Sequence, residues 1–154
     1  MDGTSVVTGV VSGVASAVLT YVVTRSKMRL ELRADYDRHL HTKRLELYTK
    51  LWPKTRPLAR FAPRVVLTHR RLQETSDDMR DWYFGEGGIY LSRRSRKPYF
   101  LLKAKLQEAI ENERVKANPD AEIDPEMTAE ILQAATRLRT SLADDIGARM
   151  RPWL

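Results

Sequence analysis

The chain has no cysteine in its 154 residues. That excludes a disulfide framework, a thiolate nucleophile and a Cys-based zinc site, and it fits a reducing cytoplasm. Catalytic patterns are missing as well: there is no HExxH, no Ser-His-Asp order and no paired-carboxylate constellation. No enzyme, cofactor or metal is therefore expected. Internal repeats and low-complexity segments are absent too. The most telling gap is in charge, because no charged residue occurs between Gly3 and Thr24. Everything after that stretch is strongly charged, and the whole chain carries a formal net charge of +7.

The uncharged stretch, rich in Val, Ala, Ser, Thr and Gly, reads as a transmembrane helix. At about 1.5 Å per residue it is roughly 33 Å long, enough for a hydrocarbon core of about 30 Å. A lone strand cannot satisfy its backbone in lipid, whereas a helix can. A cleavable signal peptide needs a basic region before its apolar core. Here only Asp2 precedes the run, and Arg25, Lys27, Arg29 and Arg33 follow it. Ser16 and Ala17 suit a signal peptidase, so cleavage stays as the minor alternative. Basic residues on one flank mark the cytoplasmic side. The expected arrangement is a single-pass protein of the cell inner membrane with its N-terminus outside, residues 1–24 as anchor and residues 25–154 as a cytoplasmic helical domain.

Along the run, Ser5, Gly9, Gly13 and Ala17 recur every fourth residue. One row of the helix therefore has little bulk, and two such rows approach closely enough to associate in lipid. A second row, Thr4, Thr8, Ser12, Ser16, Thr20 and Thr24, carries hydroxyls, and Val7, Val11, Val14, Val18 and Val22 lie opposite. The hydroxyls either bond back to their own helix, face other helices or line a narrow polar path. The absence of charge inside the run removes the usual marker of an ion pathway.

Beyond the anchor, periodicity predicts an all-α bundle of about four helices joined by short loops. The first spans Met28 to Trp52, with Leu32, Tyr36, Leu40, Leu47 and Leu51 on one face, and Pro53 ends or kinks it. A bent connection rich in proline follows, with a short turn expected around Leu58 and Phe61. Val65 to Tyr83 is the second helix, with Val65, Leu72, Met79, Trp82 and Tyr83 as its buried stripe; Gly85, Gly87 and Gly88 are expected to stop it by adopting positive φ in a sharp turn. Ser92 or Ser95 caps a third helix running to about Val115. Asp124 and Pro125 open the last, whose inward set is Met127, Ile131, Leu132, Ala135, Leu138, Leu142 and Ile146.

The segment DWYFGEGGIYLSRRSRKPYF, from Asp81 to Phe100, resembles a group of small bacterial membrane-anchored helical proteins of unknown function. The likeness covers this segment and, loosely, the basic helix before it. It implies a membrane-anchored helical architecture and supplies no activity, cofactor or catalytic residue.

The strongest candidate site is Ser92, Arg93, Arg94, Ser95, Arg96 and Lys97, which puts four cations at a helix N-terminus. Cations there oppose the helix dipole, and an anion reverses that penalty. A lipid phosphate, a nucleotide or a phosphorylated partner all fit. The plainer account is a solvated loop whose charges pair with Glu86, Asp77 or the acidic loop near Asp120. His39 and His41, two apart on a helix, point in different directions and do not make a metal face. The expected partners are membrane lipid, a second copy of the chain and a protein partner, while nucleic acid rests on charge alone. The leading function is a self-associating anchor, adaptor or accessory subunit. The alternative is a membrane-permeabilising effector whose spans form a pore on a cytoplasmic signal.

Overall fold

The computed structural model describes residues 3–60, 66–111 and 118–148, with side chains from residue 21 onward apart from Val22. The described chain is helical throughout, the only strand-like feature among the described residues being an isolated antiparallel bridge between Thr68 and Glu122. By contacts it forms two units, residues 1–40 and 41–154.

In the first unit the chain runs within α1, Gly3–Lys54. The row Ser5, Gly9, Gly13 and Ala17 belongs to this helix, but those side chains lie outside the described residues. Among the described residues no helix is long and apolar enough to cross a membrane. From Val23 to His39 every side chain is exposed. Leu32 and Tyr36, expected on a buried stripe, are 65% and 66% exposed. Their periodicity is correct for a helix face, but among the described residues of this unit no second helix lies against that face.

The second unit begins where α1 acquires neighbours. Leu47, Tyr48 and Leu51 are buried. Pro53 falls in the last turn of α1 and the helix ends at Lys54. A single 3-10 turn, Arg56–Leu58, follows and buries Leu58, with Pro57 supplying the preset φ such a turn tolerates. The neighbouring expectation for Phe61 lies outside the described residues.

Helix α2, His69–Trp82, begins later than the expected Val65, which itself lies outside the described residues. Thr68 precedes it as N-cap, and the loop before it is held by the acidic loop beyond. Ile123 N–H donates to the Leu67 carbonyl at 2.9 Å, Arg70 N–H donates to the Pro119 carbonyl at 3.0 Å, and Arg70 pairs with Asp120 at 3.0 Å. Leu72, Met79 and Trp82 are buried as the spacing predicts.

The glycines after Trp82 correct the expectation of a stop. The chain passes through a π turn, Tyr83–Gly87, into a single helical turn, α3, Gly88–Tyr90. Gly87 and Gly88 have φ of −64° and −63°, and Gly147 is the one positive-φ glycine among the described residues. What these positions need is space. A Cβ on Gly87 would stand 2.3 Å from the Trp82 ring, and one on Gly88 would stand 2.8 Å from the Tyr83 carbonyl oxygen. In a π turn the Gly88 N–H reaches back five residues to Tyr83 O. Trp82 is buried while Phe84, two residues on, points out.

Helix α4, Arg93–Glu111, buries Tyr99, Leu102, Leu106, Ala109 and Ile110. Helix α5, Pro125–Asp145, opens at Asp124, whose carboxylate accepts from Glu126 N–H at 3.0 Å and Met127 N–H at 3.3 Å. Ile131, Ala135, Leu138 and Leu142 are buried, and Met127, Leu132 and Ile146 pack partly buried against the core. Its end is a Schellman motif: Ala148 N–H donates to Ala143 O and Gly147 N–H to Asp144 O, with Gly147 at φ 67°. Helices α4 and α5 make the most extensive pairing of the unit, and α2 packs on α4.

Candidate functional site

The basic cluster opens α4, and the structure divides it by function. Ser92 is the cap, its hydroxyl accepting from Ser95 N–H at 3.0 Å. Ser95, one turn in, points inward and is fully buried. Its hydroxyl donates to the Asp145 carboxylate at 2.6 Å and lies 3.1 Å from the Ser141 hydroxyl, which itself donates to the Leu138 carbonyl. Arg94 pairs with Asp144 at 2.9 Å. Arg93, Arg96 and Lys97 are exposed.

The acid that answers the cluster is therefore within the chain. It is neither Glu86, Asp77 nor Asp120: Asp77 pairs with Arg80 and Asp120 with Arg70. It comes from the last turn of α5, where two carboxylates sit at the negative end of a helix dipole, as unfavourable for them as the start of α4 is for arginines. Because the end of α5 lies beside the start of α4, each misplaced set of charges meets the dipole and the side chains it needs. A cationic helix start and an acidic helix end in one sequence is the signal that joins Arg94 and Ser95 to Asp144 and Asp145.

Tyr48 completes the junction. Its hydroxyl donates to Asp145 at 3.1 Å and its oxygen accepts from Ser92 N–H at 3.3 Å, which ties α1 to the α4–α5 corner. Burial pushes the Tyr48 phenol up to about 12, the Ser92 amide lowering it and the Asp145 carboxylate adding to the rise. Nearby, Arg44 donates to the Tyr90 carbonyl at 3.0 Å and the His41 ring lies 3.2 Å from the Ile146 carbonyl. His41 thus meets a backbone oxygen, and His69 likewise meets the Ile110 carbonyl at 3.1 Å. Among the described residues no three His, Cys, Asp or Glu side chains gather as a metal site.

The aromatic residues after Met79 split between core and surface. Trp82 is buried, its indole N–H donating to the Leu47 carbonyl at 2.9 Å. The Tyr99 hydroxyl donates to the Met79 carbonyl at 2.7 Å, and Tyr83 stacks on the Tyr99 ring at 5.2 Å. Burial raises the Tyr99 phenol above the ordinary tyrosine range. Phe84 and Phe100 flank Tyr83 edge-on at 5.3 and 5.4 Å. Both lie at the surface, as does Ile89.

Burial lowers the Lys103 ammonium below the ordinary lysine range, and it donates to the Ser76 carbonyl at 2.8 Å and hydroxyl at 2.6 Å. Those bonds tie α4 to α2 and leave the ammonium occupied. Compared with protein-family models, with curated proteins and with solved structures, the chain matches none.

Proposed function

We propose that this chain is a single-pass, self-associating protein of the cell inner membrane. Its N-terminus is outside, and its basic helical domain is cytoplasmic and engages an anionic ligand or partner as an anchor, adaptor or accessory subunit. The observation that carries the proposal is that the uncharged stretch Gly3–Thr24 and its basic flank, Arg25, Lys27, Arg29 and Arg33, belong to one unbroken helix, Gly3–Lys54. Crossing a bilayer takes about 20 residues that are predominantly apolar and free of charge, and the uncharged run from Gly3 to Thr24 is what supports that reading. The cations on one side set the orientation. Within the domain, the exposed Arg93, Arg96 and Lys97 support a negatively charged counterpart.

Two measurements test the proposal. The full chain should stay with the membrane after alkaline carbonate washing, and release would overturn the anchor. A fluorescent protein fused at the C-terminus should shine while the corresponding alkaline phosphatase fusion stays inactive; the reverse pattern would overturn the orientation. Dye leakage from vesicles carrying the chain, or loss of membrane potential on expression, would replace the adaptor with the permeabilising effector.

A further inference from the structure

We infer that the helical domain docks on an anionic bilayer surface through an apolar wedge of Phe84, Ile89 and Phe100 rimmed by Arg93, Arg96 and Lys97. The inference rests on the membrane assignment above and names the counterpart of the basic surface. Phe84 and Ile89 are 78% and 83% exposed, the highest values among the large apolar side chains described. They sit on the π turn and on α3. Phe100 is 48% exposed and shares the flanks of Tyr83 with Phe84.

The cations belong to the same surface. On α4, residues 93, 96, 97 and 100 are three or four apart, so their side chains line one face and lead from the basic start of the helix to Phe100. The side chains of Arg93, Arg96 and Lys97 make no hydrogen bond, ion pair or ring contact with a described residue, whereas the Arg94 side chain pairs with Asp144. Glu86 is the acidic side chain of the π turn and is exposed, so the cations outnumber it three to one on this surface. Exposed aromatics beside unpaired cations form the pattern of a surface that lies in the headgroup layer, rings toward the acyl boundary and charges among phosphates.

Placement within the domain agrees. Tyr90 is bonded to Arg44, Ser92 to Tyr48 and Ile146 to His41. The end of α3, the start of α4 and the end of α5 therefore share one corner of the second unit, with Arg44, Tyr48 and His41. A second copy of the chain is a poorer occupant, because a two-fold contact centred here would set Arg93, Arg96 and Lys97 against their own duplicates. A single bound phosphate is poorer too, since the α4 start is already served by the chain's own Ser92 and Asp145.

The absence of cysteine makes the test clean. Full-length protein carrying Ile89→Cys, labelled with an environment-sensitive dye, is reconstituted into vesicles that contain brominated lipid and either about one-third phosphatidylglycerol or phosphatidylcholine alone. Gln107→Cys, exposed farther along α4, is the reference site. Expected is a blue shift and strong quenching at 89 in anionic vesicles only, with 107 unaffected. Replacing Arg93, Arg96 and Lys97 by Gln should weaken docking on the order of a hundredfold at unchanged far-UV circular dichroism, since each cation near such a surface contributes about fivefold. No quenching at 89, equal quenching in both lipids, or equal quenching at 107 would overturn the inference. A signal that follows protein density rather than lipid charge would overturn it in favour of a second copy. Anchor failure reads out separately, as loss of the protein from carbonate-washed vesicles; the labelled chain is then added to the same vesicles from solution, and quenching at 89 still decides the docking.

Discussion

Gly87 and Gly85 lie two residues apart on the π turn, yet alanine should have opposite effects at the two positions. At Gly87 a Cβ would stand 2.3 Å from the Trp82 ring, which is buried and held by its bond to the Leu47 carbonyl. The ring has to move. Overpacking of this kind costs about 1–3 kcal/mol, and a lost indole bond about 1 kcal/mol more. Replacing a helical glycine by alanine returns about 0.5–1 kcal/mol. The net expectation for Gly87→Ala is a loss of about 2–3 kcal/mol, or roughly 10 °C in Tm for a domain of this size. At Gly85 nothing lies within 4 Å of the added Cβ, so only the backbone gain remains and Tm should rise by a few degrees. Thermal melts of the detergent-solubilised full chain, followed by circular dichroism in the far ultraviolet, compare the two variants with the parent. In a Trp82→Leu background, Gly87→Ala should lose most of its cost, because the obstructing ring is gone. A Gly87→Ala protein as stable as the parent, or a cost of Gly87→Ala that is undiminished in the Trp82→Leu background, would refute the close-approach argument.

Three further outcomes follow from the same geometry. Ser95→Ala should lower stability by about 2 kcal/mol in a denaturant titration, since the Asp145 carboxylate gives up its shortest hydrogen bond inside a buried corner. The Tyr48 phenol is raised to about 12 by burial, so the fold favours its protonated form: that contribution is whole below about pH 10 and is lost as pH climbs through 12, about 2–3 kcal/mol in all. The stability cost of Tyr48→Phe should accordingly shrink between pH 10 and 12, and a cost that stays constant would show that the phenol does not titrate in this window. In the anchor, Gly13→Leu should abolish association in a transmembrane reporter while Val14→Leu on the opposite side leaves it intact, and equal association of both would remove the small-residue row as the contact.

The helices were legible because burial repeats at three and four residues. Tyr99, Leu102, Leu106, Ala109 and Ile110 on α4 and Ile131, Ala135, Leu138 and Leu142 on α5 all go inward as their spacing requires, and Asp124 with Pro125 marks a start that the cap bonds bear out. Periodicity names a face but not its partner, which is why Leu32 and Tyr36 share a pattern with Leu47 and Leu51 yet stand exposed. The π turn was not legible at all. A Gly-rich stretch serves equally for positive φ or for close approach, and the choice here depends on where the Trp82 ring lands, a tertiary fact. For the basic cluster, sequence located the residues and missed their nearest acid, because Arg94 and Asp144 are far apart in the chain and only the pairing of α4 with α5 brings them together.

That pairing also decides what kind of counterpart the surface can accept. A compact anion seeks a helix start for its free amides and its dipole, and at α4 the Ser92 hydroxyl already takes the Ser95 amide while the Asp145 carboxylate accepts from Ser95 and Tyr48. A phosphate entering there would have to compete with a half-buried carboxylate held by two hydroxyls. Arg93, Arg96 and Lys97 do not share that corner; they spread along one face and lead away from it toward Phe100. Charges dispersed in this way gain little from one small ligand, which can touch only one or two of them, and gain from a counterpart that offers many negative groups over a broad area. The exposed rings of Phe84 and Phe100 add the requirement that the same counterpart be apolar just beneath its charge. The proposed anionic bilayer meets both conditions, and in that proposal the internal carboxylates of α5 disfavour a soluble phosphate at the start of α4.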